Sequence, residues 1–93
     1  MYEGEFRGWK VISTFSKMSV NEIAKKIMDN HNHDVVIIVN PDTMFVSFRK
    51  PNESSADICF MAQNLCEGGG GEWASGGKIT QKFLDFTTKL IEL

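Results

Sequence analysis

Apolar positions along the chain change their period several times, and each change marks an expected element. Residues 9–15 (WKVISTF) set Val11 and Ile12 in a β-rich run, which predicts a strand. From Val20 the period lengthens: Val20, Ile23, Ala24, Ile27 and Met28 recur at helical spacing. Ser19-Val20-Asn21-Glu22 has the capping-box pattern, so this helix is expected to open at Ser19. Asn30-His31-Asn32-His33 closes it. Val35 to Val39 is an unbroken β-branched run, the signature of a central strand buried on both faces. Asn40-Pro41-Asp42-Thr43 carries turn chemistry. The pattern then alternates, with Met44, Val46 and Phe48 on one side and Phe45, Ser47 and Arg49 on the other. A β-hairpin is the expectation.

Pro51-Asn52-Glu53 reads as a loop, with Ser54 or Ser55 capping a second helix whose apolar face is Ile58, Met61, Ala62, Leu65 and Cys66. A glycine-rich segment follows, then a short strand near Gly77–Ile79. Thr80 opens a last helix, docked through Phe83, Phe86, Leu90 and Leu93. The expected order is β-α-β-β-α-(Gly-rich loop)-β-α. This is an α+β fold in which three helices cover a small mixed β-sheet, as one domain over residues 1–93.

Composition narrows the function classes. With 93 residues, 42% apolar and 24% charged, the chain suits one modest core. A net charge of −2 argues against a broad, sequence-blind nucleic-acid surface, while leaving room for a local phosphate site. Cys59 and Cys66 are seven apart, so on a helix they share a face about 10 Å apart, too far for a bridge. Buried, reduced thiols are expected. No signal peptide and no apolar stretch near 18 residues occurs, so a cytoplasmic setting without a membrane is the default.

The chemistry concentrates at the glycines. Gly68–Gly77 holds six glycines in ten residues, an entropic cost that needs a reason. Successive backbone N–H groups can form a concave anion nest, and the alternative is a tight structural turn. Trp73 could stack on a base, or could plug the core or a partner interface. Arg49 ends the alternating strand on the side of Ser47; a forked guanidinium suits phosphate, while a lone strand-end Arg is also a common solvated group. His31-Asn32-His33-Asp34 invites a metal reading, but the chain has only two histidines, and a helix-terminal turn accounts for them. No nucleophile elbow, phosphate-loop signature or paired aspartates appear, so the chain carries no catalytic centre and no metal site of its own.

Taken together, Val46-Ser47-Phe48-Arg49, Ala56-Asp57-Ile58, Met61-Ala62 and Gly68-Gly69-Gly70-Gly71-Glu72-Trp73-Ala74-Ser75-Gly76 resemble the DHH-associated C-terminal domain of the DHH phosphoesterase family. That family shows a VS(L/F)RS strand and a GGGHxxA(A/S)G segment, and the resemblance covers about residues 8–92. It implies a domain that binds substrate for a separate N-terminal DHH catalytic domain. Manganese would sit in that other domain, with no cofactor here. The implied substrates are short single-stranded RNA or DNA, or a nucleotide, and the parent would be an exonuclease, oligoribonuclease or exopolyphosphatase-like hydrolase.

By this resemblance, and by the residue chemistry above, the candidate substrate-binding positions are Ser47, Arg49, Gly68, Gly69, Gly70, Gly71, Trp73, Ser75 and Gly76. Two departures stand out. The family histidine falls on Gly71, and Lys50 follows Arg49 where the family has Ser. The competing reading is a protein-interaction or homodimerisation module in which the glycine segment is structural and Trp73 and Phe45 form an interface.

Overall fold

The β-branched run and its neighbours build one seven-stranded sheet in the computed structural model, which describes residues 1–93. The strands are β1 (Tyr2–Phe6), β2 (Trp9–Phe15), β3 (Val35–Asn40), β4 (Phe45–Arg49), β5 (Gly69–Gly70), β6 (Ala74–Lys78) and β7 (Ile91–Glu92). Three helices accompany them: α1 (Val20–Asn30), α2 (Ile58–Cys66) and α3 (Gln81–Thr87). Spatial order is β5-β6-β4-β3-β2-β1-β7. Only β2 and β3 are parallel, joined through α1, and the remaining pairs are antiparallel. The α+β class with a mixed sheet and three helices is therefore the observed one.

Two cores follow from strand alternation. Val11, Val35, Ile37, Val39, Val46 and Phe48 face one way, where α2 brings Ile58, Met61, Ala62, Leu65 and Cys66 and α3 brings Phe83 and Phe86. Ile12, Val36 and Ile38 face the other way, under Ala24 and Ile27 of α1. β3 thus sits mid-sheet and is buried on both faces, as its unbroken apolar run requires. Each large side chain so buried, Phe48 for example, stabilises the fold by about 1.5–3 kcal/mol relative to exposure.

Several expectations need correction. The pattern does not predict β1, because YEGEF holds two glutamates and a glycine. A two-residue turn, Arg7 (φ 51°) and Gly8 (φ 88°), folds it back on β2. Its Glu3 then pairs with His33 at 2.9 Å, and Phe6 meets Phe86 edge-on. Ser19 does precede α1 but makes no side-chain cap bond. Neither Ser54 nor Ser55 caps α2. Asp57 does, accepting from Phe60 N at 2.9 Å, while the Ser54 hydroxyl donates to the Asp34 carbonyl and ties its loop to the start of β3. The strand expected at Gly77–Ile79 starts earlier, at Ala74, and the loop before it contains the short strand β5. Leu93 docks nothing: it is exposed past β7, and its amide bonds the Met1 carbonyl. Thr80 caps α3, as expected, accepting from Phe83 N.

Candidate functional site

The pairing of β4 with β6 brings the two halves of the glycine–arginine motif together. Their antiparallel register sets Ser47 opposite Gly76, Phe48 opposite Ser75 and Arg49 opposite Ala74. Directly opposed residues share a face of the sheet. Ser47, Gly76 and Arg49 therefore belong to the α1 side, while Phe48 and Ser75 belong to the α2 side.

Arg49 is the most telling of these residues. Its Nε donates to Asn21 Oδ1 of α1 at 3.2 Å, and one terminal nitrogen donates to the Phe48 carbonyl at 3.0 Å and reaches the Ser75 carbonyl at 3.5 Å. Burial lowers its pKa from the ordinary value, yet a guanidinium stays charged. No carboxylate pairs with it; the chain's two ion pairs are Lys17–Asp42 and Glu3–His33. A half-buried cation is thus held in one pose by neutral oxygens alone. It borders a groove of about 360 Å³ between α1 and the residues after β4, with Asn21, Lys25, Lys50 and Asn52 on its walls.

The glycines divide by cause. A Cβ on Gly77 would lie 2.8 Å from Cys66 Cβ, and one on Gly76 2.6 Å from the Val46 carbonyl. Gly68 would collide with the Gly76 carbonyl, so the C-terminus of α2, β5 and β6 cross with no room for side chains. Gly70 has φ +142°, and it is the only glycine of the segment in the left-handed half of the map. Gly69 and Gly71 differ: the nearest atoms to an added Cβ are 4.0 and 3.9 Å away.

The anion nest is not formed. Such a nest needs alternating right- and left-handed residues with free amides. Here Gly68 N donates to the Ala62 carbonyl and Gly71 N to the Ala74 carbonyl, both within the fold. Ser75 is likewise committed, its hydroxyl donating to the Gly71 carbonyl at 2.8 Å. Ser47 is buried beside Gly76, over which the half-exposed Phe45 ring lies.

Trp73 stands at the tip of the β5–β6 hairpin, 48% exposed, so it does not plug the core. The Lys50 ammonium lies 5.0 Å from its ring centroid, a cation–π contact, and also donates to the Ala56 carbonyl at 2.8 Å. One face of Trp73 is covered by that lysine. A second groove, of about 490 Å³, opens between Gly70–Gly71 and the start of α2, and Lys50 lines it as well. Asn21, Lys25 and Lys50 are the contacts sequence reasoning did not place in the site. For Asn21 and Lys25 no local signal exists, because α1 reaches β4 only through the fold; Lys50 was legible as an unusual neighbour of Arg49.

His31 and His33 hold rings 6.0 Å apart just after α1, and His33 is engaged by Glu3. No three His, Cys, Asp or Glu side chains cluster in a metal-holding arrangement. Cys59 and Cys66 are both free. Cys59 donates its thiol to the Gly70 carbonyl at 3.4 Å, and burial pushes the Cys66 thiol up to about 12. No helix is long and apolar enough to cross a membrane.

A scan against protein-family models finds no match, and a search of curated proteins finds none either. Among solved structures the chain is similar to an uncharacterized protein from Helicobacter pylori G27, at 25% identity and a TM-score of 0.70. That alignment takes in 92% of this chain and 26% of the other, so the fold described here spans about a quarter of that longer protein.

Proposed function

We propose that this chain is the substrate-binding, DHH-associated C-terminal domain of a DHH-family phosphoesterase. In this reading it presents a nucleotide, or the end of a short single-stranded RNA or DNA, to a manganese-dependent catalytic domain in the cytoplasm. One observation carries the reading. Arg49 is half-buried, charged, oriented by Asn21 and backbone carbonyls, and has no carboxylate partner. An anion is what completes such a site, and a phosphate oxygen pair matches the guanidinium fork. The register that sets Arg49 and Ser47 against Ala74 and Gly76 supports the same reading, since it joins the motif's two halves. The similar fold within a chain about three and a half times as long supports a role as one domain among others.

Titration of the labelled chain with nucleoside monophosphates and short oligonucleotides, followed by NMR, tests the proposal. Shifts should centre on Arg49, Asn21 and the strand Ala74–Lys78. Perturbations confined to other surfaces would refute it. A second reading, a homodimerisation module, draws on the exposed Phe15, Met44 and Phe45. Sedimentation across a range of concentrations separates the two, because a dimer buries these side chains and a monomer leaves them in water.

A further inference from the structure

We propose that the face of the sheet away from Arg49 carries a second binding site, which takes a neutral molecule of one aromatic ring with a single hydrogen-bonding group. The site is a groove of about 240 Å³ between α3, the start of β1 and the ends of β2 and β3. Strand alternation makes it. Ser13 and Phe15 point to the α2–α3 side of β2, as Val11 does, and the β1–β2 register sets Tyr2 directly against Ser13. Helix α3 has only seven residues and spends Phe83 and Phe86 on the core, so a groove remains over this corner of the sheet.

Ser13 carries the inference. It is 6% exposed, lines the groove and makes no hydrogen bond within the fold. A hydroxyl taken from water without a partner costs stability. The other hydroxyls on the walls are accounted for: Thr87 donates to the Leu84 carbonyl at 2.7 Å, and Tyr2 is partly open to water. A ligand atom in the groove is the partner Ser13 lacks.

The rest of the lining sets the ligand class. Tyr2, Phe15 and Phe83 supply three rings, which suit edge and face contacts with a fourth. No acidic or basic residue lines the groove, so a charged ligand would lose water and gain no counter-charge. A cavity of about 150 Å³ holds one benzene, so there is room here for a ring with a substituent. The groove falls short of the roughly 300 Å³ at which drug-sized sites begin. Phe15 at 62% and Leu84 at 45% exposure form an apolar rim that such a ligand would cover.

NMR titration of the full chain with phenol, toluene and benzoate tests this. Phenol and toluene should give saturable shifts at Ser13, Val39, Leu84 and Leu90 and leave Asn21 and Arg49 in place. Benzoate should bind more weakly than phenol by about tenfold or more. Ser13→Ala should weaken phenol about three- to tenfold, the worth of one hydrogen bond, and leave toluene unchanged. Leu84→Asp, at an exposed position, should weaken both neutral probes, and it decides the matter if Ser13→Ala misfolds. The proposal fails if the neutral probes shift no groove residue, if benzoate binds as well as phenol, or if either folded variant binds phenol as the wild type does. If the groove signals move with protein concentration alone, the groove is a contact between copies and the proposal fails as well. None of these outcomes touches the phosphate-binding reading of Arg49, which lies on the other face of the sheet.

Discussion

Replacing Gly77 by alanine puts a methyl carbon 2.8 Å from both Cys66 Cβ and the Cys66 carbonyl oxygen, and 3.1 Å from Gly68 Cα. Two of those three atoms are backbone, so no side chain can swing away, and β6 must separate from the end of α2. Overpacking of this kind costs about 1–3 kcal/mol. The same substitution at Gly71 meets nothing closer than 3.9 Å, and its φ lies outside the left-handed region. Alanine there narrows the unfolded ensemble, which stabilises by about 0.4–1 kcal/mol where the native backbone accepts it. The two variants therefore differ by about 1.5–4 kcal/mol although both are glycine-to-alanine changes in one segment. Urea unfolding followed by circular dichroism measures this. With a slope of about 1 kcal/mol per M, the midpoint should drop by about 1–3 M for Gly77→Ala and hold or rise for Gly71→Ala. Equal midpoints would show that the glycines are not there to let β5, β6 and α2 meet, and the packing argument would collapse.

Other consequences are as direct. Asp57→Ala should lose about 1 kcal/mol through the α2 cap, whereas Ser19→Ala should stay near neutral; equal losses in thermal melts would contradict the capping pattern. Because the Cys66 thiol is raised in the folded state from 9.0 to about 12, the unfolded chain releases its proton first as pH climbs. Its contribution to stability is therefore whole below pH 9 and is lost from there toward 12. Cys66→Ala should show a shallower alkaline decline than the wild type, and parallel curves would argue against burial of that thiol. Arg49→Ala should weaken nucleotide binding at least tenfold, while Arg49→Lys, which keeps charge but loses the fork, should fall between; calorimetry reads both. Alkylation of the native chain should label Cys59 and spare Cys66, and two labels per chain by mass spectrometry would count against the structure.

The legible parts of this chain are those where neighbours in sequence carry the physics. Val35–Val39 has to be an inner strand, because five consecutive apolar β-branched residues point to both faces of a sheet. The hairpin to Arg49 and the apolar faces of α1, α2 and α3 follow from period alone. Caps were only partly legible. A serine hydroxyl can bond a helix amide or a distant carbonyl, and at Ser54 the Asp34 carbonyl wins because the fold carries that loop alongside β3. β1 was hidden for a related reason. Its polar residues contradict a strand until Arg7-Gly8 folds them against β2, Glu3 finds His33, and Leu90 covers Gly4.

The site shows the same division. The sequence by itself determined that Arg49 and the glycine segment are unusual, that the segment would be bracketed by helices, and that Lys50 and Gly71 depart from the motif they resemble. Only the tertiary structure decided why each glycine is there. Steric room is a property of crossing elements, so Gly68, Gly76 and Gly77 are explained by chain that lies far away in sequence, and Gly69 and Gly71 are not. The fold likewise spent the Gly68 and Gly71 amides on internal carbonyls and left Arg49 held by neutral oxygens without a carboxylate partner. Charge patterns can be read one residue at a time. The partners a charge has, or lacks, exist only after the strands have paired.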